Sequence, residues 1–118
     1  TTDTSILTAI GNDYSFEAIF AKQVQALGAP GDVLLAMTTS GNSGNVLAAM
    51  AAARAKEMTV IALTGNTGGK VREQLTETDV HICVPHERTA RIQEVHLLVL
   101  HCLCDAVDLQ LLGEQENT

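Results

Sequence analysis

Residues 32–38 (DVLLAMT) and 59–64 (TVIALT) are apolar at every interior position, with no alternation of wet and dry side chains. A strand with one solvated face alternates. A continuous apolar run has to be covered on both faces, and that is the condition of strands inside a parallel sheet. A third run, residues 80–84 (VHICV), ends at Pro85. Turn chemistry brackets the runs: Ala29-Pro30-Gly31 precedes the first, and Gly65 follows the second. The spacing of Phe16, Ile19, Phe20, Val24 and Leu27 predicts a helix over 16–26. Residues 45–56 are Ala-rich and helix-favouring, 69–75 form a short helix, and 90–112 form the longest. Strands alternating with helices give an α/β fold with a parallel sheet, right-handed crossovers and helices on its faces. The 118 residues fit a single domain. Three strands make a thin sheet for this class, and the chain opens on Thr1-Thr2-Asp3 without an initiator Met. Both features lead to the expectation that further strands precede Thr1.

Composition excludes several roles. At 46% hydrophobic the chain can build a core, but with 3% aromatics and no Trp that core must be aliphatic. A formal net charge of −7 argues against direct nucleic-acid binding, which needs clustered Lys and Arg. No uninterrupted apolar run reaches the roughly 18–20 residues of a membrane span, and no signal peptide is evident, so no membrane partner is expected. Three cysteines, Cys83, Cys102 and Cys104, form an odd set without disulfide-like spacing. They are expected to be reduced and buried, in a cytoplasmic protein.

The stretch Thr38-Thr39-Ser40-Gly41-Asn42-Ser43-Gly44-Asn45 carries the chemistry. It sits where a buried strand ends and a helix begins, the end at which open α/β sheets bind ligands. A helix start offers free N–H groups and partial positive charge. Gly41 and Gly44 let backbone approach a ligand, and Thr39, Ser40 and Ser43 offer hydroxyl donors. A phosphate site without Lys or Arg fits these residues; so does an ordinary strand-to-helix turn capped by Ser or Asn. Neither the Walker A spacing nor the dinucleotide glycine pattern is present, so no nucleotide cofactor is expected. A second turn, residues 64–70 (TGNTGGK), looks alike and reads as a plain connection.

In the last helix Ile92, Val95, Val99, Cys102, Ala106 and Leu109 form a stripe expected to be buried, widened by Leu97, Leu100, Leu103, Val107 and Leu111. So broad an apolar surface implies cover from a second subunit as well. Glu94, His101, Asp105 and Asp108 share a polar strip, in which Asp105 can orient the imidazole of His101 for acid–base work near neutral pH. His96 lies on another face and reads as structural, and His81 and His86 as strand-end residues. Gln93 is eight residues before His101, about 12 Å along the axis.

Asn12-Asp13, the loop 38–43, Leu63-Thr64-Gly65, and the run 90–96 (ARIQEVH) followed by His101 resemble the phosphoheptose isomerase family over nearly the whole chain. The resemblance implies a SIS fold, a five-stranded parallel sheet between helices. It implies a homotetramer with active sites between subunits. It also implies aldose–ketose isomerisation of sedoheptulose 7-phosphate to D-glycero-D-manno-heptose 7-phosphate for lipopolysaccharide core heptose. Carried onto this chain, Thr38, Thr39, Ser40 and Ser43 match the phosphate loop, and Asn12 and Asp13 a substrate-contacting pair. Gln93 matches a glutamine that contacts substrate and metal, and His101 the catalytic histidine, which in some members also binds zinc. The family's first strand, its Gly-rich loop, the catalytic Glu and another metal-binding His have no counterpart here. Ala90 replaces an aspartate found in some members. This chain then reads as the C-terminal part of one SIS domain, inactive alone and short of zinc ligands. A non-catalytic relative that binds the replication initiator DnaA shares much of the pattern, and a sugar-phosphate-sensing module would need the loop without His101.

Overall fold

A computed structural model describes residues 1–113; the sequence ends in a polar stretch, Gly113–Thr118, which beyond Gly113 lies outside the described residues. Helix α1 (Thr4–Asp13) is followed by a 3-10 turn (Phe16–Ala18) and α2 (Ala21–Leu27). Then come β1 (Val33–Met37), α3 (Gly44–Ala55), β2 (Thr59–Gly65), α4 (Gly69–Gln74), β3 (Val80–Val84) and α5 (Thr89–Leu112). The strands are parallel in the order β1-β2-β3, with Val33 opposite Thr59 and Ile61 opposite Val80. The expected α/β class and its strands stand. The chain departs from expectation at the start, where α1 forms with Ile6, Leu7 and Ile10 at helical spacing. Asp3 begins it by accepting from the Ile6 N–H at 3.0 Å, and none of its residues is buried. The helix expected over 16–26 breaks in two, because Phe16–Ala18 winds as a 3-10 turn before α2 starts.

Strand register sorts side chains between the two faces of the sheet. Ala36, Val60 and Ala62 share one face with Val46, Met50 and Ala53 of α3 and Val71 of α4. Phe20 and Val24 close that layer from the α2 side. Met50 and Ala53 are fully buried, so the Ala-rich stretch is helical both by propensity and by the close approach that small residues permit. At the far end of the strands Asp79 ties the layers together. Its carboxylate accepts from the Val60 N–H at 2.9 Å and from the Thr76 N–H at 2.9 Å. Burial pushes the Asp79 carboxyl up, but these bonds, the Thr76 hydroxyl and the Arg54 guanidinium outweigh it, leaving a net shift below the ordinary value.

The opposite face is thinly covered. Val33, Leu35 and Met37 of β1 are 55%, 39% and 47% exposed, so β1 is covered on one side only. The continuous apolar run did not make both faces dry because, among the described residues, no helix packs over the Val33, Leu35 and Met37 side of β1. Along α5 only Ile92 and His96 are buried. The expected stripe is therefore corrected: Ile92 is buried, but Val95, Leu97, Cys102, Ala106, Val107, Leu109 and Leu111 are exposed, because little of this chain packs against α5 beyond its first turns. Cys102 and Cys104 are exposed for the same reason, while Cys83 is half-buried. An 18-residue window of α5 has mean hydropathy 1.6, enough by length and composition to cross a membrane. The sequence hid this because isolated polar residues such as His96 and His101 interrupt the apolar run without lowering its average much.

Candidate functional site

The loop that leaves β1 runs directly into the start of α3. Gly41 has a left-handed φ of 72°, and a Cβ there would run into the Gly68 carbonyl. The Thr38 and Ser43 hydroxyls bond each other across the loop at 2.7 Å, and the Asn42 N–H donates to the Ser40 hydroxyl at 3.1 Å. Ser43 precedes α3 without capping it through its side chain. Among the described residues, the N–H groups of Ser43, Gly44 and Asn45 meet no hydrogen-bond acceptor. Three donors therefore collect at the positive end of a 12-residue helix. That arrangement favours an anion over the plain capped turn.

The carbonyls of the loop are held back by the second Gly-rich turn. Val71 N–H donates to the Gly41 carbonyl at 2.9 Å, and the Asn66 amide to the Thr39 carbonyl at 3.3 Å. Lys70 N–H donates to Asn42 Oδ1 at 2.9 Å. Gly69 must lack a Cβ, which would strike Asn42 Oδ1 and the Ser40 carbonyl. The stretch that read as a plain connection is thus a strut for the first loop. Asn42 and Asn66 were not among the expected site residues; their only sequence signal is an Asn in each of two glycine turns. Glu17 also escaped the sequence reading. Its carboxylate packs on Gly44, where a Cβ would collide with it, and so places a negative charge at the same helix end.

An open cleft of about 480 Å³ lies beside the loop, between Met37, Thr38 and Thr39 on one side and Gln93, His96, Leu97 and Leu100 on the other. Of the expected residues, Thr38, Thr39 and Gln93 line it. Ser40 and Ser43 belong to the loop rather than to the cleft wall. Asn12 and Asp13 end α1, exposed, with the Asn12 amide donating to Asp13 at 3.0 Å. His101 is exposed, lies roughly 140° around α5 from buried His96, and is not among the residues that line the cleft. Among the described residues no three His, Cys, Asp or Glu side chains converge on one point. Gln93 and His101, two turns apart on one helix, do not build a zinc site by themselves. His96 donates from Nε2 to the Thr64 carbonyl at 2.7 Å, and His81 Nε2 pairs with the Thr64 hydroxyl at 2.6 Å. Burial, and then the nearby Arg72 guanidinium, holds the His81 imidazole below its ordinary value.

A SIS domain model matches residues 1–65, more than half of the chain. The chain belongs to the SIS domain family. This SIS chain is 78% identical over 117 residues to a phosphoheptose isomerase of Methylibium petroleiphilum, covering 99% of this chain and 58% of the relative. It is 66% identical over 117 residues to one of Aromatoleum aromaticum, covering 99% and 59%. Its fold superposes on phosphoheptose isomerase GmhA from Neisseria gonorrhoeae with a TM-score of 0.89 at 60% identity, over 91% of this chain and 59% of that one. A phosphoheptose isomerase from Francisella tularensis gives 0.89 at 50% identity, over 92% and 56%. The SIS chain thus spans somewhat under three fifths of the length of these relatives.

Proposed function

We propose that this chain is the C-terminal part of an aldose–ketose isomerase that converts sedoheptulose 7-phosphate to D-glycero-D-manno-heptose 7-phosphate, in the cytoplasm, for lipopolysaccharide core heptose. One observation carries the reading: an anion cradle of free amides and hydroxyls, in a SIS chain that is 78% identical to a phosphoheptose isomerase. Thr38, Thr39, Ser40 and Ser43 hold the phosphate with the amides of the α3 start. Gln93, across the cleft, takes sugar hydroxyls, and Asn12-Asp13 contacts the substrate from α1. His101 moves protons as C1 and C2 exchange oxidation state: one group removes the proton beside the carbonyl, an enediol forms, and a proton returns to the neighbouring carbon. A carboxylate base is expected from outside these 118 residues, so the chain alone is inactive.

Two features support a homo-oligomer, with the tetramer as the expected size. The apolar surface of α5 is open, and His101 does not line the cleft of its own chain, which suits a site completed by a second copy. The same assembly would cover the helix that by hydropathy alone could enter a membrane. Gln93 and His101 would supply two ligands to a zinc ion, with the others coming from outside these 118 residues.

The test is turnover of sedoheptulose 7-phosphate by the full-length protein and its His101→Ala variant. Turnover in the wild type and its loss in a folded variant support the reading. A wild type without turnover that binds DnaA tightly, or one that only senses sugar phosphate, overturns it.

A further inference from the structure

Helix α5 carries both residues given chemical roles above its first turn, Gln93 and His101, yet over its 24 residues it buries only Ile92 and His96. These two are one turn apart, and both land on the last two residues of β2. Ile92 lies over Gly65, where any Cβ would strike its side chain and the Thr39 carbonyl. His96, 5% exposed, donates from Nε2 to the carbonyl of Thr64 at 2.7 Å. Thr64 is fully buried, and its hydroxyl pairs with His81 Nε2 at 2.6 Å, so the carbonyl is steadied from β3 as well. The adjoining Asn66 reaches the Thr39 carbonyl at 3.3 Å. One short stretch of β2 and its turn therefore supports the phosphate loop and the helix across the cleft together.

A carbonyl oxygen only accepts, so His96 must carry its hydrogen on Nε2, leaving Nδ1 as the ring's other nitrogen. An aliphatic side chain would fill the same space without fixing how far α5 slides or rolls over the strand ends. A directed bond from a buried ring fixes both. Resting on the isomerase reading, we propose that His96 is a positioning residue: its Nε2–H bond to the Thr64 carbonyl sets the register of α5 over the cleft, and so sets where Gln93 faces the phosphate loop and where His101 stands two turns farther along the helix.

The experiment uses the full-length protein with His96→Leu and His96→Gln. His96→Leu lowers kcat on sedoheptulose 7-phosphate by about tenfold to a hundredfold, the upper figure being the scale of a misplacement near 1 Å. Its inhibition constant for inorganic phosphate stays within about twofold, because the loop is not on α5. His96→Gln, whose amide N–H can reach the same carbonyl, recovers most of the loss. Wild-type kcat in a folded His96→Leu, or parallel loss of turnover and phosphate binding in both variants, overturns the proposal. Two readings do not depend on activity. Imidazole nitrogen spectra of the wild type give a single Nε2–H tautomer with a slowly exchanging proton, and an Nδ1–H tautomer overturns the proposal even if His96→Leu does not fold. Amide exchange over the first turns of α5 quickens in His96→Leu, and unchanged protection overturns it. If wild type turns over no heptose phosphate, the isomerase reading fails, while the spectra and the exchange still decide whether His96 anchors α5.

Discussion

The two glycine turns that follow β1 and β2 are near-copies in sequence and opposites in use. Each leaves the carboxyl end of a parallel strand, each places a glycine at positive φ, and each starts a helix. The first opens 12-residue α3 and leaves the N–H groups of Ser43, Gly44 and Asn45 without acceptors among the described residues. The second opens six-residue α4 and, past Gly69, commits its amides: Lys70 to Asn42, Val71 to Gly41, Arg72 to Gly68. The difference teaches that glycine pattern and position relative to a strand do not mark an anion site. What marks it is whether the donors are already bonded. Here Val71, Asn66 and Lys70 of the second turn donate to the Gly41 and Thr39 carbonyls and to Asn42 Oδ1 of the first, which occupies those acceptors while the Ser43, Gly44 and Asn45 donors stay free.

The sharpest way to break this comparison is Gly41→Ala. A methyl group would meet the Gly68 carbonyl on backbone held at a φ of 72°, so the variant loses about 3 kcal/mol or more in denaturant unfolding. A wild-type midpoint would mean the turns do not pack together. Asp79→Ala serves as the remote contrast. It strips acceptors from the Val60 and Thr76 N–H groups and costs about 2 kcal/mol of stability. Its phosphate affinity, measured by calorimetry on the folded fraction, is unchanged. Ser40→Ala and Ser43→Ala reverse that pattern: each weakens binding of the phosphorylated sugar by about 1–2 kcal/mol. Equal affinity for phosphorylated and unphosphorylated heptose in the wild type would remove the loop's role. Glu17→Gln removes a negative charge from the α3 start and tightens inorganic phosphate about twofold at low salt, an effect that fades as salt rises.

The smallest effect sharpens the link between β2 and its neighbours. His81 is held below its ordinary value of 6.5 by burial and Arg72, so the unfolded chain binds this proton more readily than the folded one. Its contribution to stability is fully present above the unfolded value and is lost as pH falls through the folded one. Urea midpoints of the wild type should therefore drop more between neutral and mildly acidic pH than those of His81→Gln. Parallel curves would show that the imidazole is not held neutral by the fold.

Local chemistry determined a good deal from the sequence alone. The apolar runs at 32–38 and 59–64 fix two parallel strands, Ala-rich 45–56 fixes a helix between them, and the Thr/Ser/Gly stretch fixes a turn rich in donors. These are matters of periodicity, propensity and backbone freedom, all carried by residues close together in the chain. The sequence could not tell which of two glycine turns keeps its amides free, because that depends on Val71 and Asn66 reaching back over more than 25 residues. Nor could it tell that the apolar stripe of α5 and its cysteines face outward, since periodicity gives the direction of a face and not what stands opposite it. His96 shows the same division: its spacing said only that it is not on the polar strip, and the carbonyl that makes it a donor comes from a strand 32 residues away. Hydrogen-bond partners and burial are properties of distant surfaces brought together, so only the tertiary structure decided them.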